Sequence, residues 1–165
     1  MKKRKVQLAT LLIVSEGADD KAFLNHMRDL FDGRETGQKI KVQSADGGSP
    51  HDIIKVAIRS KHAAYDRRVV FMDSDVAVTE KDLKFADKHK IELILCEPWC
   101  LEGMLLDVLG HSIPHSCGAC KRTLHPMLLD VPTKKESYGI LFTKPLLEAC
   151  SKIQIKRLIK ILKND

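Results

Sequence analysis

Apolar residues gather in four short blocks along this chain, each closed by polar or turn-forming residues, and between the blocks they recur at helical spacing. Residues 8–15 (LATLLIVS) and 69–72 (VVFM) are nearly continuous apolar runs, the pattern of strands buried on both faces of a parallel sheet. Residues 40–44 (IKVQS) and 91–96 (IELILC) supply two more strands. Between the first two, residues 19–31 predict a helix with acids at its start, where the helix dipole is positive, and with Asp32-Gly33 as its stop. After the loop Asp46-Gly47-Gly48-Ser49, Pro50 suits the first turn of a helix that carries Ile53, Ile54, Ala57 and Ile58. Residues 79–90 read as a helix with Leu83, Phe85 and Ala86 on its buried face, and residues 101–109 as one with Met104, Leu105 and Leu109 turned inward. Residues 110–131, rich in His, Cys and Pro, read as an insertion or a loosely ordered connection, and a long helix over 144–162 closes the chain. Alternating strands and helices predict one α/β domain with about four mostly parallel strands flanked by helices.

The way two of these strands end introduces chemistry. The first runs into Glu16-Gly17 and the third into Asp73-Ser74-Asp75. Open α/β sheets bind their ligands at the carboxyl edge, and there the fold should bring Glu16, Asp73 and Asp75 together. Carboxylates a few Å apart repel one another, and a hard cation such as Mg²⁺, or Mn²⁺ in its place, relieves that repulsion and then engages phosphate oxygens. Single acids at helix starts are ordinary caps, which is the reading for Asp19 and Asp20. Two buried strands that both end on acids are not explained by capping, so Glu16, Asp73 and Asp75 together read as a metal site. Glu102, in the first turn of its helix, is either a further participant or a helix-stabilising acid.

Composition narrows the class of partner. The 165 residues are 44% hydrophobic and 30% charged, which describes a globular domain large enough for a real core. A net charge of +6 fits a polyanionic partner, while aromatic content of 5% disfavours a surface that stacks unpaired bases. Contact with backbone phosphates is the expected mode. Lys152, Lys156, Lys160 and Lys163 recur at helical spacing beside Arg157, and Lys2-Lys3-Arg4-Lys5 opens the chain; each set reads either as a phosphate-following surface or as solvated charge. No run approaches the roughly 20 apolar residues of a membrane span. Five cysteines, an odd number, do not suggest a disulfide framework, so a cytoplasmic location is expected.

Cys117-Gly118-Ala119-Cys120 has the spacing of half a zinc site. His111, His115 and His125 are near enough in sequence to complete four ligands; a thiol pair in a loop and a redox pair are the alternatives. Cys96, Cys100 and Cys150 lie in apolar settings and read as small buried hydrophobes.

Glu-Gly after one apolar strand and Asp-x-Asp after another, 57 residues apart, resemble the TOPRIM domain of topoisomerases, bacterial primases, OLD-type nucleases and small maturation ribonucleases. Gly47-Gly48-Ser49-Pro50 with Asp52, Ile53 and Ala57 is similar to the glycine-rich loop of the RloB-like branch. Glu97-Pro98-Trp99-Cys100-Leu101-Glu102 is similar to its Asn-Pro-Cys-Phe-Glu segment, with Glu97 where the branch usually has Asn. The resemblance spans about residues 8–109. It implies a TOPRIM-like fold and Mg²⁺-dependent cleavage of nucleic-acid phosphodiesters, with Asp73 and Asp75 holding the ion and Glu16 completing the acidic triad as general acid or base. Glu102 would be an extra ligand or position water, and the N–H groups of Gly17 and Ala18 would receive a phosphate. It further implies prokaryotic anti-phage defence, possession of DNA or RNA as substrate, and a separate ATPase subunit, since no Gly-x-x-x-x-Gly-Lys-Ser/Thr stretch occurs here. A non-enzymatic nucleic-acid-binding or regulatory module on the same fold is the alternative. A strand-passage or priming enzyme would need a nucleophilic tyrosine or further domains, and Tyr65 and Tyr138 sit in unpromising contexts.

Overall fold

The computed structural model describes residues 9–32, 37–59 and 64–165. The basic run at residues 2–5, Leu8 at the expected start of the first strand, and Gly33 lie outside the described residues. Four strands, β1 (Ala9–Ser15), β2 (Gln38–Ser44), β3 (Arg67–Asp73) and β4 (Ile91–Cys96), form one all-parallel sheet in the order β2-β1-β3-β4. The two apolar runs occupy its centre, as their burial on both faces requires. Leu11, Ile13, Val69 and Phe71 point into one core, and Leu12, Val14, Val70 and Met72 into the other.

Seven α-helices among the described residues cover those faces. Helices α2 (Pro50–Arg59) and α3 (Glu80–Lys88) close the second core with Ile53, Ile54, Ala57 and Ala86. Thr79 starts α3 with reciprocal capping: its hydroxyl accepts from the Asp82 N–H at 3.1 Å while Asp82 accepts from the Thr79 N–H at 3.1 Å. The first core lies under α1 (Ala18–Phe31), α4 (Leu101–Val108), α5 (Cys117–Leu124), α6 (Lys144–Ala149) and α7 (Ile153–Lys163). Its aromatic centre is Phe23, whose ring meets Tyr138 and Phe142 edge-on at 5.6 and 6.0 Å. The buried Tyr138 hydroxyl donates to the Pro132 carbonyl at 2.7 Å.

Two expectations are corrected. Residues 110–131 are not a loosely ordered connection, because they hold α5 and the 3₁₀ turn His125–Met127. Ser116 caps α5 by accepting from the Ala119 N–H at 3.1 Å, and Cys120, Leu124 and Leu128 are buried against the first core. The long closing helix is two helices, with Cys150 and Lys152 in extended conformations between them. The break lets Leu147 and the stripe Ile155, Leu158, Ile161 and Leu162 all reach the same core from two axes. Lys152 Nζ is then held by Asp107 Oδ2 at 2.6 Å. Among the described residues no helix is long and apolar enough to cross a membrane.

Candidate functional site

In this strand order the chain leaves β1 toward β2 on one side and returns to β3 on the other, so the sheet reverses direction between β1 and β3. A crevice opens at the carboxyl edge of such a switch point. Glu16 follows the last residue of β1 and Asp73 is the last residue of β3. The two are joined directly: the Asp73 N–H donates to Glu16 Oε2 at 2.8 Å. Asp73 Oδ1 in turn accepts from the Leu101 N–H at the start of α4, at 3.1 Å. Ser74 fixes the same corner, its hydroxyl donating to the Cys96 carbonyl at 2.7 Å and its N–H to the Trp99 carbonyl at 3.0 Å. Three separate segments are thus tied together by short-range bonds, and Glu16 Oε1 and Asp73 Oδ2 keep no hydrogen-bond partner among the described residues.

The crevice is a cleft of about 270 Å³ lined by Glu16, Gly17, Ala18, Asp19, Asp20, Gly47, Asp73, Glu102 and Lys121. Five of these are carboxylates and one is a cation. The glycine-rich loop reaches the cleft because the Gly47 N–H donates to the Glu16 carbonyl at 2.9 Å, with Gly47 at φ +94°, a conformation that favours glycine. Burial, then repulsion from Glu16, raises the Asp73 carboxyl to about 7. Asp20 is raised well above its ordinary value by burial, followed by repulsion from Asp73, and Asp19 is raised by burial and by Glu102. Carboxylates this close hold protons more tightly than usual, and a bound cation would relieve the repulsion that makes them do so.

The described residues form three groups of donors able to hold a metal, each with its ligand atoms within 4.8 Å of one another: Asp73, Asp75 and Cys117; Asp19, Glu102 and His125; and Cys100, Glu102 and Cys117. The Asp73 and Asp75 pair therefore converges as expected. Glu16 stands outside that group, tethered to the Asp73 backbone. Glu102 is 2% exposed, and His125 Nε2 lies 2.8 Å from its Oε1 and 3.8 Å from Asp19 Oδ2.

Other expected residues are placed differently. The Gly17 N–H, expected to meet a phosphate, donates to Asp20 Oδ2 at 3.0 Å; the helix-capping role expected of Asp20 holds, and its carboxylate lines the cleft as well. Lys152 is engaged by Asp107, and Lys160 precedes Ile161, whose carbonyl accepts from Gln38 Nε2 at 3.0 Å. Gln38 begins β2, so the far end of α7 sits at the amino edge of the sheet, away from the carboxylates; Lys156 is exposed one turn earlier. Cys117 and Cys120 are on α5, and none of the metal-capable groups among the described residues joins them to His111 or His115.

Sequence reasoning missed Lys121 as a cleft residue and placed His125 only among possible zinc ligands. Lys121 is four residues after Cys117, and on a helix these share a face; reading that stretch as irregular concealed the signal. No protein-family model, curated protein or solved structure gives a significant match to this chain.

Proposed function

We propose that this chain is a Mg²⁺-dependent TOPRIM-type endonuclease of the RloB-like kind, hydrolysing nucleic-acid phosphodiester bonds in the cytoplasm of a prokaryote as part of anti-phage defence, with a separate ATPase subunit. The observation that carries this reading is the convergence of Asp73 and Asp75 at the switch point between β1 and β3, with Glu16 bonded to the Asp73 backbone beside them. The donor set fits the ion. Asp73 and Asp75 offer hard carboxylate oxygens, Asp73 with Oδ2 unengaged, and the cleft carries a surplus of negative charge. When bound, Mg²⁺ supplies positive charge against the scissile phosphate and makes water a better nucleophile near neutral pH.

The protein's own residues do the rest. Asp73 and Asp75 hold the ion, and the backbone N–H groups of Asp73 and Leu101, donating to Glu16 and Asp73 respectively, fix the Glu16 and Asp73 carboxylates before substrate arrives. Glu16 Oε1 takes a proton from the attacking water, or returns one to the leaving oxygen as its bond to phosphorus breaks. Lys121, in the same cleft, pairs with a phosphate oxygen. The Ala18 N–H at the start of α1 is available for the same purpose, whereas that of Gly17 is not.

The experiment is incubation of the purified protein with plasmid DNA, single-stranded DNA and total tRNA in Mg²⁺, Mn²⁺ or EDTA, beside the Asp73→Asn variant. Metal-dependent cutting that is lost in the variant supports the reading and identifies the nucleic acid. Binding without cutting, in every metal and with a defence ATPase added, would replace it with a non-enzymatic binding module.

A further inference from the structure

Beside the acidic cleft lies a donor set of different chemistry. Cys100 Sγ, Cys117 Sγ and a Glu102 carboxylate oxygen fall within 4.8 Å of one another. A third thiol adjoins them, since Cys100 is within interaction distance of Cys120 as well as of Cys117. All of these cysteines are free. Cys100 and Cys120 are fully buried, and Glu102 is nearly so.

The ligands come from two short stretches. Cys100 is the residue before α4 and Glu102 its second residue, while Cys117 and Cys120 lie on the first turn of α5. Gly103 packs beside the Cys120 sulfur, from which a Cβ at that position would stand 3.4 Å. Packing alone accounts for buried thiols as small hydrophobes. A carboxylate also stands beside them, a group that leaves water when paired or coordinating a metal, and His125 pairs one of its two oxygens. His125 meets Oε1 of Glu102 and leaves Oε2 without a hydrogen-bond partner among the described residues.

We propose that Cys100, Cys117 and Glu102 bind one Zn²⁺, and that Cys120, whose thiol in the metal-free chain donates to the Pro114 carbonyl at 3.6 Å, turns in as the fourth ligand. Thiolates with one carboxylate select Zn²⁺ over Mg²⁺, which takes oxygen donors. Cys117 Sγ also lies within 4.8 Å of the Asp73 and Asp75 oxygens, so the two sites adjoin, but the zinc site does not depend on the nuclease reading. Its role is structural. The ion pins the start of α5 to the start of α4, and α5 then presents Lys121 to the cleft. Cys-x-x-Cys thus completes its ligand set with Cys100 and Glu102 and not with the exposed His111 and His115.

The test needs no cleavage assay. Full-length protein expressed with added zinc and purified without chelator is expected to carry one zinc per chain by elemental analysis. Metal-free protein titrated with Co²⁺ is expected to show a thiolate-to-cobalt charge-transfer band and the visible bands of tetrahedral cobalt. Cys117→Ser changes a half-buried residue and is expected to fold with the melting temperature of metal-free wild type. Its zinc affinity should fall by at least about 10–100-fold, the loss that removal of even an outer-shell partner brings. Cys100→Ser should weaken the charge-transfer band by the share of one thiolate, and His111→Ala and His115→Ala should keep it whole. Absence of that band in wild type would overturn the proposal, as would unchanged affinity in Cys117→Ser or a band lost on removing His111 or His115.

Discussion

The Glu16 carboxylate accepts a 2.8 Å hydrogen bond from the backbone N–H of Asp73, 57 residues further along the chain. That bond occupies Oε2 and sets the orientation of the whole group. Glu16→Gln keeps it, because the amide oxygen accepts equally well, but removes the carboxylate that exchanges a proton. Cleavage is expected to fall by roughly 100- to 10,000-fold, the usual worth of a general acid or base. Mg²⁺ affinity, measured by titration calorimetry, should be unchanged. A variant that loses metal binding together with activity would show Glu16 to be a ligand instead.

Asp73→Asn separates function from stability. In the folded metal-free protein this carboxyl is raised from 3.8 to about 7, by burial and then by Glu16, so the folded state binds the proton more tightly than the unfolded chain. The stabilising contribution is fully present below about pH 4 and is lost as pH rises through about 7. Metal-free wild type should therefore melt lower at about pH 8 than at about pH 5, with the part owed to Asp73 absent from the variant. The asparagine oxygen still accepts from the Leu101 N–H, so the fold is kept. The expected outcome is an inactive variant that melts above wild type in EDTA at about pH 8, with the order reversed when Mg²⁺ binds wild type alone. Identical pH dependence of the two melts would contradict the electrostatic account of the cleft.

The sheet and its acidic ends were legible because a strand buried on both faces must be apolar throughout. Val69, Val70, Phe71 and Met72 leave no other reading, and Asp73 stands out against them. The division of the last helix was not legible. Cys150, Ser151 and Lys152 contain neither Gly nor Pro, and lysines at helical spacing run across the break; the turn is set by what Leu147 and Ile155 must reach. Residues 110–131 hid a helix for the opposite reason, since Pro114, Gly118 and Pro126 surround it with loop signals. Lys121 and the pairing of His125 with Glu102 depended on that helix, so the part of the site they form was lost with it.

Gly103 tests how closely α4 approaches the chain before it. A Cβ at this position would lie 2.0 Å from the Pro98 carbonyl oxygen, a backbone atom that cannot rotate away. Alanine ordinarily strengthens a helix by roughly 1 kcal/mol over glycine. Here overpacking should prevail, costing about 1–3 kcal/mol or more in net stability by urea denaturation. A more stable Gly103→Ala protein would mean that Pro98 does not press on α4.

Substrate position is tested by comparing lysines at opposite edges of the sheet. Lys121 lines the cleft with Glu16, Asp73 and Glu102, whereas Lys160 is next to Ile161, which bonds Gln38 at the amino end of β2. Seven-residue strands separate the two edges by about 20 Å. A phosphate held at Asp73 therefore touches Lys121 and not Lys160. Removing a preorganised positive donor at the reacting phosphate costs roughly 100-fold or more, so Lys121→Ala should lower kcat by that order at saturating substrate. The double variant Lys156→Ala with Lys160→Ala should leave kcat unchanged. If those two side chains follow flanking backbone, its effect is confined to affinity, with the slope of log affinity against log salt reduced by at most about 2. Cleavage abolished by the double variant and untouched by Lys121→Ala would move the substrate from the β1–β3 crevice to the face of α7, and the roles of Glu16 and Asp73 would have to be abandoned with it.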